Sequence, residues 1–277
     1  MSRTASPAAT AATNRRERMN PIAGPGQALG PGVVLHGLVG AECGAVDLAT
    51  GIATVAAGAG MPAHTHPCTE AMVVLEGEVV ATVEGRRYRL RQYDALHVPP
   101  GVAHAVENAG STAARVFAAF ASATPGRDLV SLPDSPVDSD APPPGAPERL
   151  ARFDGVARYD LADGADFRDL FQGFAGCEGI CGGYALFEPG KSLPCHTHDY
   201  DESISIIVGE AVCQVAGNEY TLSGCETALV PKGRPHRFIN RSDRPMAMIW
   251  VYAGNTPDRV IVDQCLCDGA CAPGSSS

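Results

Sequence analysis

Two stretches of sequence decide the fold of this chain: GAGMPAHTHPCTEAMVVLEG at residues 58–77 and GKSLPCHTHDYDESISIIVG at residues 190–209. Each contains a His-x-His pair and, four residues further on, a glutamate. The first stretch supplies His64, His66 and Glu70, and the second supplies His196, His198 and Glu202. A third histidine follows a Pro-x-Gly turn in each half, at His104 and at His236.

The two halves are copies of one unit. Identical residues recur 132 positions later with no insertion or deletion between them, and chance does not keep so many identities in register. The first members of these pairs are His64, His66, Glu70, Gly77, Glu78, Gly85, Tyr88, Leu90, Gly101, His104 and Asn108. The chain is therefore a duplicated domain.

Each half is expected to form β-strands. Short apolar runs at 72–75, 79–83 and 95–98 end at Gly, Pro or charged residues, and no segment keeps a long helical period. The predicted fold class is all-β, with two tandem β-barrel domains. The predicted boundaries are a disordered N-terminal tail at 1–30, a first domain at 31–123, a linker rich in Pro and Asp at 124–151, a second domain at 152–262 and a cysteine-containing tail at 263–277.

The spacing of the histidines predicts a metal site in each domain. Residues i and i+2 of a strand face the same side, so His64 and His66 project together, as do His196 and His198. A turn must bring the glutamate back, because a straight strand would carry it ~13 Å away. Three imidazoles and one carboxylate suit Fe, Mn, Ni, Co, Cu or Zn. Six of the eight histidines fall in these two sets, whereas His36 and His97 lie outside them.

Composition excludes several functional classes. The 277 residues include 31 acidic and 21 basic side chains, for a formal charge of −10, which argues against a nucleic-acid partner. No apolar run approaches the ~20 residues of a membrane span, and the first twenty residues lack the apolar segment of a secretory signal. We therefore expect a cytoplasmic protein with a small-molecule substrate, no membrane partner and ten cysteines that stay mostly reduced.

These residues resemble the motifs of the cupin superfamily, specifically its two-domain members, the bicupins. The first cupin motif matches residues 58–77 and 190–209 throughout. The second matches PPGVAHAVEN at 99–108 and PKGRPHRFIN at 231–240, although its leading glycine is replaced by Tyr93 and by Cys225. The resemblance implies two jelly-roll β-barrels, a divalent transition metal in each and a homodimer, but not one particular reaction.

Three hypotheses about function remain open. The first is a metal-dependent enzyme, with a dioxygenase favoured because the expected pocket walls are apolar: Met72, Val74, Phe120, Ile204, Ile206, Trp250 and Tyr252. In it Glu70 or Glu202 doubles as a catalytic general base. The second is a metal-dependent isomerase, lyase, decarboxylase or aminohydrolase, although no arginine is clearly placed for the oxalate decarboxylase type. The third is a non-catalytic protein that binds a small molecule.

The remaining cysteines leave two interpretations. Cys265, Cys267 and Cys271 could hold Zn or Cu(I), with Cys177 or Cys181 as a fourth ligand. Disulfides or unligated thiols are together favoured, because the spacing matches no standard metal motif.

Overall fold

The computed structural model describes residues 15–173 and 176–271. Within them the regular secondary structure is almost entirely β-strand, so the all-β prediction is confirmed. None of the described helices is long and apolar enough to cross a bilayer. Part of the predicted N-terminal tail, residues 1–14, lies outside the described residues.

The strands of the two halves correspond one to one over most of their length. Those of the first half are β1 (Arg18–Asn20), β2 (Gln27–Gly30), β3 (Val33–Val39), β4 (Ala49–Val55), β5 (Gly60–Thr65), β6 (Glu70–Glu76), β7 (Val79–Val83), β8 (Arg86–Leu90), β9 (Ala95–Val98), β10 (His104–Glu107), β11 (Ala114–Phe120), β12 (Asp128–Leu129) and β13 (Val137–Asp138). Those of the second half are β14 (Arg149–Ala151), β15 (Tyr159–Ala162), β16 (Ala165–Phe171), β17 (Cys181–Phe187), β18 (His196–Thr197), β19 (Glu202–Val208), β20 (Glu210–Val215), β21 (Asn218–Ser223), β22 (Thr227–Val230), β23 (His236–Ile239), β24 (Met246–Tyr252) and β25 (Val260–Ile261). Short 3-10 helices lie at Ala41–Cys43 and Phe153–Gly155, and helix α1 is Cys265–Asp268.

Each half folds into a barrel of two facing sheets. The first barrel combines the order β14-β9-β6-β11-β4-β3-β2 with β12-β5-β10-β7-β8-β13. The second combines β1-β22-β19-β24-β17-β16-β15 with β21-β20-β23-β18-β25. Because side chains alternate along each strand, one face of the larger sheet fills its own barrel and the other face meets the neighbouring barrel.

The two barrels exchange their first strands. Strand β1 pairs with β22 of the second barrel, where Met19 lies opposite Ala228. Strand β14, its counterpart in the repeat, pairs with β9 of the first barrel, where Leu150 lies opposite Leu96. Each exchanged strand covers a sheet edge that would otherwise leave backbone groups unpaired.

The exchange corrects the predicted tail and linker. Residues 18–20 and 27–30 form strands although 1–30 was predicted to be disordered, because pairing with a sheet edge outweighs their weak local propensity. The predicted linker at 124–151 contains β12, β13 and β14, which belong to the first barrel by their pairing. The repeated unit thus begins before each predicted domain boundary and ends beyond residue 123.

The surface between the barrels explains the two departures from the second cupin motif. Tyr93 and Cys225 replace the expected glycine yet keep its left-handed backbone, with φ of 66° and 71°. The ring of Tyr93 packs against Phe153 and Tyr184 at centroid distances of 5.1 and 5.0 Å. Cys225 is buried and accepts a hydrogen bond from Arg115 of the first half. Side chains that fill the interface therefore offset the conformational cost of losing glycine.

The cysteines of the C-terminal segment form disulfides, so the metal interpretation of this cluster is wrong. Cys267 pairs with Cys195, and Cys265 pairs with Cys271. Cys177 and Cys181 are buried free thiols. The first of these bonds ties α1 to the residue directly before His196.

Candidate metal centres

The first barrel brings four of the predicted residues to one point. His64 lies directly opposite His104 because β5 pairs with β10 in that register. Glu70 begins β6 on the facing sheet, after the turn that its spacing required. Its Oε2 lies 2.7 Å from Nε2 of His104 and 3.3 Å from Nε2 of His66. All four side chains are buried.

The second barrel repeats this geometry. His196 lies opposite His236 in the β18–β23 pair. Oε2 of Glu202 lies 2.7 Å from Nε2 of His236 and 3.3 Å from Nε2 of His198. In both groups the candidate donor atoms lie within 4.8 Å of one another. The prediction of one buried group of metal-binding type in each domain is confirmed.

Backbone carbonyls fix the orientation of all six imidazoles. In the first group, Nδ1 of His64, His66 and His104 lies within hydrogen-bond distance of the carbonyls of Pro62, Gly126 and Val102. In the second, His196, His198 and His236 meet Pro194, Asp258 and Arg234 in the same way. An imidazole that donates through Nδ1 presents the lone pair of Nε2, and it is Nε2 that faces the centre of each group.

The electrostatics favour the protonation states that bind metal. Burial acts to raise the pKa of Glu70, but the neighbouring imidazoles, led by His104, outweigh it and lower the pKa to about 2. Burial, together with the charge of His104, lowers the pKa of His64 to about 4. The pKa of Glu202 is likewise lowered, and burial holds the pKa of His196 well below its ordinary value. At neutral pH both carboxylates are therefore ionised, and His64 and His196 are neutral.

The donor set fits a divalent transition metal. Bonds of 2.0–2.2 Å to adjacent coordination positions place two donor atoms roughly 3 Å apart, which matches the carboxylate–imidazole distances of 2.7 and 3.3 Å. In the second group Nε2 of His198, Nε2 of His236 and Oε2 of Glu202 are buried and close together, yet none of them makes a contact of hydrogen-bond geometry. Such atoms are costly to bury unless an ion satisfies them.

The surroundings of the two groups differ. A cavity of about 480 Å³ reaches the first group, with His64, His66 and Glu70 in its wall. The rest of its lining is mostly small or apolar and includes Leu35, Val39, Ala49, Met61, Ala118 and Phe120. A small organic molecule therefore has room beside the first group.

Aromatic rings pack over the second group. Trp250 and Phe167 replace Ala118 and Leu35 at the equivalent positions, and both are buried. Tyr252 lies 4.3 Å from the ring of His198, and Tyr200 stacks on the same imidazole at 5.4 Å. Trp250 in turn contacts Tyr252 at 4.8 Å. These rings fill in the second barrel the volume that smaller side chains leave open in the first.

The predicted pocket walls are only partly correct. Phe120 lines the first cavity, as expected. Met72 and Val74 instead pack into the hydrophobic core of the first barrel, and Ile204 and Ile206 do so in the second. They share a strand face with the glutamates but lie deeper in the barrel, so the walls come from β3, β4 and β11.

His97 and His36 lie outside both groups. His97 is buried with neither ring nitrogen hydrogen-bonded, and it faces a cavity of about 230 Å³ that also contacts Arg149 and Gln172. His36 is half-buried near the carbonyl of Gly24.

Arg127 is the site residue that the sequence interpretation missed. It lines the first cavity, in the loop that follows β11. The preceding residue, Gly126, supplies the carbonyl that orients His66. This loop was assigned to the linker, although a signal was present: Arg127 recurs as Arg259, 132 positions later.

Comparisons with known proteins agree with this architecture. The cupin domain family matches residues 51–120 and 183–252. The tetracenomycin polyketide synthase protein TcmJ of Streptomyces glaucescens is 31% identical over 108 residues, which are 39% of this chain and 72% of that protein.

Two solved structures share the fold. The oxalate decarboxylase of Bacillus subtilis, studied for its Mn(II) centres, has a TM-score of 0.68 at 15% identity, over 83% of this chain and 75% of that one. A formate complex of the Lactobacillus farciminis oxalate decarboxylase has a TM-score of 0.70 at 14% identity, over 83% of this chain and 84% of that one. At these identities the likeness shows the fold.

Proposed function

The chain belongs to the cupin family, and from that premise we propose that it is a metal-dependent enzyme whose first barrel acts on a small organic molecule. The observation that carries the proposal is the contrast between the two groups. Four donor residues of the same kind occur in each barrel, but only the first group borders the cavity of about 480 Å³ described above. The second barrel carries Trp250 and Phe167 where that cavity has Ala118 and Leu35.

The proposed metal ligands are the eight residues of the two groups. Fe, Mn, Ni, Co, Cu and Zn all accept this donor set, and the Mn(II) centres of the Bacillus subtilis protein support manganese as the first ion to try. Elemental analysis of protein never exposed to chelator is expected to find close to two ions per chain. His64→Ala and His196→Ala should each lower that number by one, and finding no metal in the unmodified protein would overturn the assignment.

The chemistry of the first site follows from its walls. When bound, a divalent metal supplies a Lewis acid with open coordination positions. Glu70 is the proposed catalytic carboxylate, because it is ionised and lies at the cavity. A pKa of about 2 makes it a weak base, so it would accept a proton only from a substrate that a bound metal acidifies, such as a 1,3-diketone or a catechol. Glu202 is the same group in the second barrel, beneath the aromatic rings.

Within this proposal a dioxygenase is the preferred reaction class. The apolar cavity suits an aromatic body, and the name of the Streptomyces relative associates it with a polyketide synthase. The test is anaerobic loading with Fe, Mn, Ni or Co, followed by oxygen uptake on flavonols, catechols and 1,3-diketones. Uptake should be lost in His64→Ala and kept in His196→Ala.

An oxygen-independent lyase or isomerase is the second candidate. The observation that favours it is Arg127, since a cation beside the first group would stabilise a carboxylate or an enolate. Conversion of the same substrates under strict anaerobiosis, with no oxygen uptake in air, would select this candidate over the dioxygenase.

A cytoplasmic homodimer completes the proposal. The strands β12 and β25 lie at sheet edges and expose Leu129 and Ile261, which could pair with a second copy. Light scattering should give a mass close to twice 28.7 kDa.

The cysteines bear on the proposed cytoplasmic location. Six of them are free, as in a reducing compartment, whereas the two disulfides argue against such a compartment. Mass spectrometry of protein alkylated inside cells distinguishes these alternatives.

A further inference from the structure

We infer that the molecule bound in the first cavity is an organic carboxylate and that Arg127 recognises its carboxylate group. This inference rests on the proposed function, because it names the class of molecule that the same cavity takes. It is carried by the place of Arg127 in the cavity wall, by the unpaired donor of its guanidinium and by the contrast with the equivalent arginine of the second barrel.

Arg127 lies in the cavity wall, and its guanidinium has an uncommitted donor. Its Nη1 is buried and without a hydrogen-bond partner, and within the described part of the chain Arg127 forms no ion pair. Two acidic side chains share the lining. Glu70 is engaged with His104 at 2.7 Å, and Glu42 is exposed to solvent, with its carboxylate 3.6 Å from Sγ of Cys43. Neither neutralises the arginine.

In the second barrel the equivalent arginine has a different neighbour. Arg259 is the equivalent residue, and its guanidinium lies 5.7 Å from the centroid of the Phe167 ring. That distance is within the range of a cation–π interaction. In the first barrel the place of Phe167 is taken by Leu35, which offers no aromatic face. Both copies therefore carry the arginine, but within the described residues only the copy in the second barrel has an aromatic partner.

Arginine in such a wall selects for a carboxylate. The N–H donors of its planar guanidinium match the two oxygens of a carboxylate better than the point charge of a lysine ammonium group does. The other walls, among them Leu35, Val39 and Phe120, contact an apolar body. The bound molecule is thus an apolar acid that turns its carboxylate to Arg127 and leaves another part of its body beside the metal group.

Matched calorimetric titrations test this inference in the metal-loaded full chain. The probes are cinnamate and cinnamamide, which have the same apolar body and differ in charge. The unmodified protein should bind cinnamate about tenfold more tightly than cinnamamide, since hydrogen bonds to charged groups contribute at least this factor. Arg127→Gln should reduce the preference to within about twofold while leaving cinnamamide binding unchanged. Arg259→Gln is the control and should keep the preference.

Two outcomes would overturn the inference: no preference for the acid in the unmodified protein, or a preference that persists in Arg127→Gln and thus comes from the metal alone. Arg127→Lys should restore part of the preference, which separates loss of charge from loss of fold. A preference that depends on Arg127 without turnover of any acid would contradict the enzymatic proposal and leave this inference standing. Turnover of neutral substrates, with no preference for the acid that depends on Arg127, would support the enzymatic proposal and contradict this inference.

Discussion

At position 118 the first barrel carries alanine, and at the equivalent position 250 the second carries tryptophan. Ala118 lines the open cavity, whereas Trp250 is 1% exposed and packs against Phe167 and Tyr252. Ala118→Trp should therefore fill the first cavity without touching a metal donor. We expect the variant to keep close to two metal ions and to lose binding of apolar ligands by calorimetry. Unchanged ligand affinity would contradict the assignment of this cavity as the binding site.

The reverse change in the second barrel is predicted to affect stability. Trp250→Ala removes a fully buried aromatic side chain, and truncations of this kind cost about 3–5 kcal/mol. Urea unfolding at pH 7 measures the loss, while activity in the first barrel should persist under conditions where the variant is folded. A cost below about 1 kcal/mol would mean that the second barrel is not packed around Trp250.

At the residue scale, the sequence predicts what is local and repeated. The alternation of a strand fixes that His64 and His66 face one side, and the constant offset extends the pattern to His196 and His198. Arg127 could not be placed in the same way, because its position depends on a loop that returns to His66 from sixty residues away. Nor could the filled second site be foreseen, since apolar residues predict burial but not which space they occupy.

At the element scale, strand β14 is anchored by a buried carboxylate. Glu148 accepts hydrogen bonds from Nε of Arg86 at 2.7 Å and from the hydroxyl of Tyr88 at 2.5 Å. Burial acts to raise its pKa, but these two donors outweigh it and lower the pKa below the ordinary 4.5. Glu148→Gln should destabilise the protein by about 2 kcal/mol at pH 7, as expected for hydrogen bonds to a charged group.

The pH dependence of this anchor has a definite sign. A carboxylate whose pKa is lowered by folding contributes stability above its unfolded pKa and loses it as the pH falls through the folded value. The difference in free energy of unfolding between Glu148→Gln and the unmodified protein should therefore be constant from pH 7 to about 5 and shrink below pH 4.5. A difference that grows on acidification would contradict the assignment, and Glu178→Gln, on an exposed side chain, serves as control.

The C-terminal element is held by a disulfide that closes a long loop. Cys195 and Cys267 are 72 residues apart, whereas Cys265 and Cys271 are 6 apart. In the chain-entropy account the longer loop contributes about 4 kcal/mol and the shorter about 2 kcal/mol. Cys267→Ser should thus lower the free energy of unfolding by about twice as much as Cys271→Ser does. Because Cys195 adjoins His196, Cys267→Ser should also lower the metal content of the second site alone. Losses of metal content and stability that are equal in Cys267→Ser and Cys271→Ser would argue against this role of the longer disulfide.

The exchanged strands mark the limit of sequence reasoning at the element scale. Short apolar runs predicted β6, β7 and β9 close to their observed bounds, because the burial of these strands is visible in their own sequence. Strands β1 and β14 are three residues each and sit among polar residues, so nothing local identifies them. They are ordered by partners more than fifty residues away, Met19 by Ala228 and Leu150 by Leu96.

At the scale of the whole molecule, a hydrophobic cluster between the two barrels adds to the separate core of each. A single hydrophobic cluster contains Val73 and Phe117 of the first barrel together with Phe171 and Ile249 of the second. Buried Thr50 and Ser203 hydrogen-bond across the same surface at 3.0 Å. The reciprocal exchange of β1 and β14 adds a connection in each direction. Neither barrel retains a complete sheet if the other unfolds.

We therefore predict that the metal-loaded chain unfolds in one cooperative step. Calorimetry should show a single transition in which the van't Hoff and calorimetric enthalpies agree. Ions that bind only the folded state raise its stability, so His64→Ala and His196→Ala should each lower the same Tm rather than split the transition. Two resolved transitions, each responding to only one of these variants, would show that the barrels unfold independently. The cooperative outcome would give the second metal group a function in a protein whose chemistry we place in the first barrel: its ion stabilises the fold on which the open site depends.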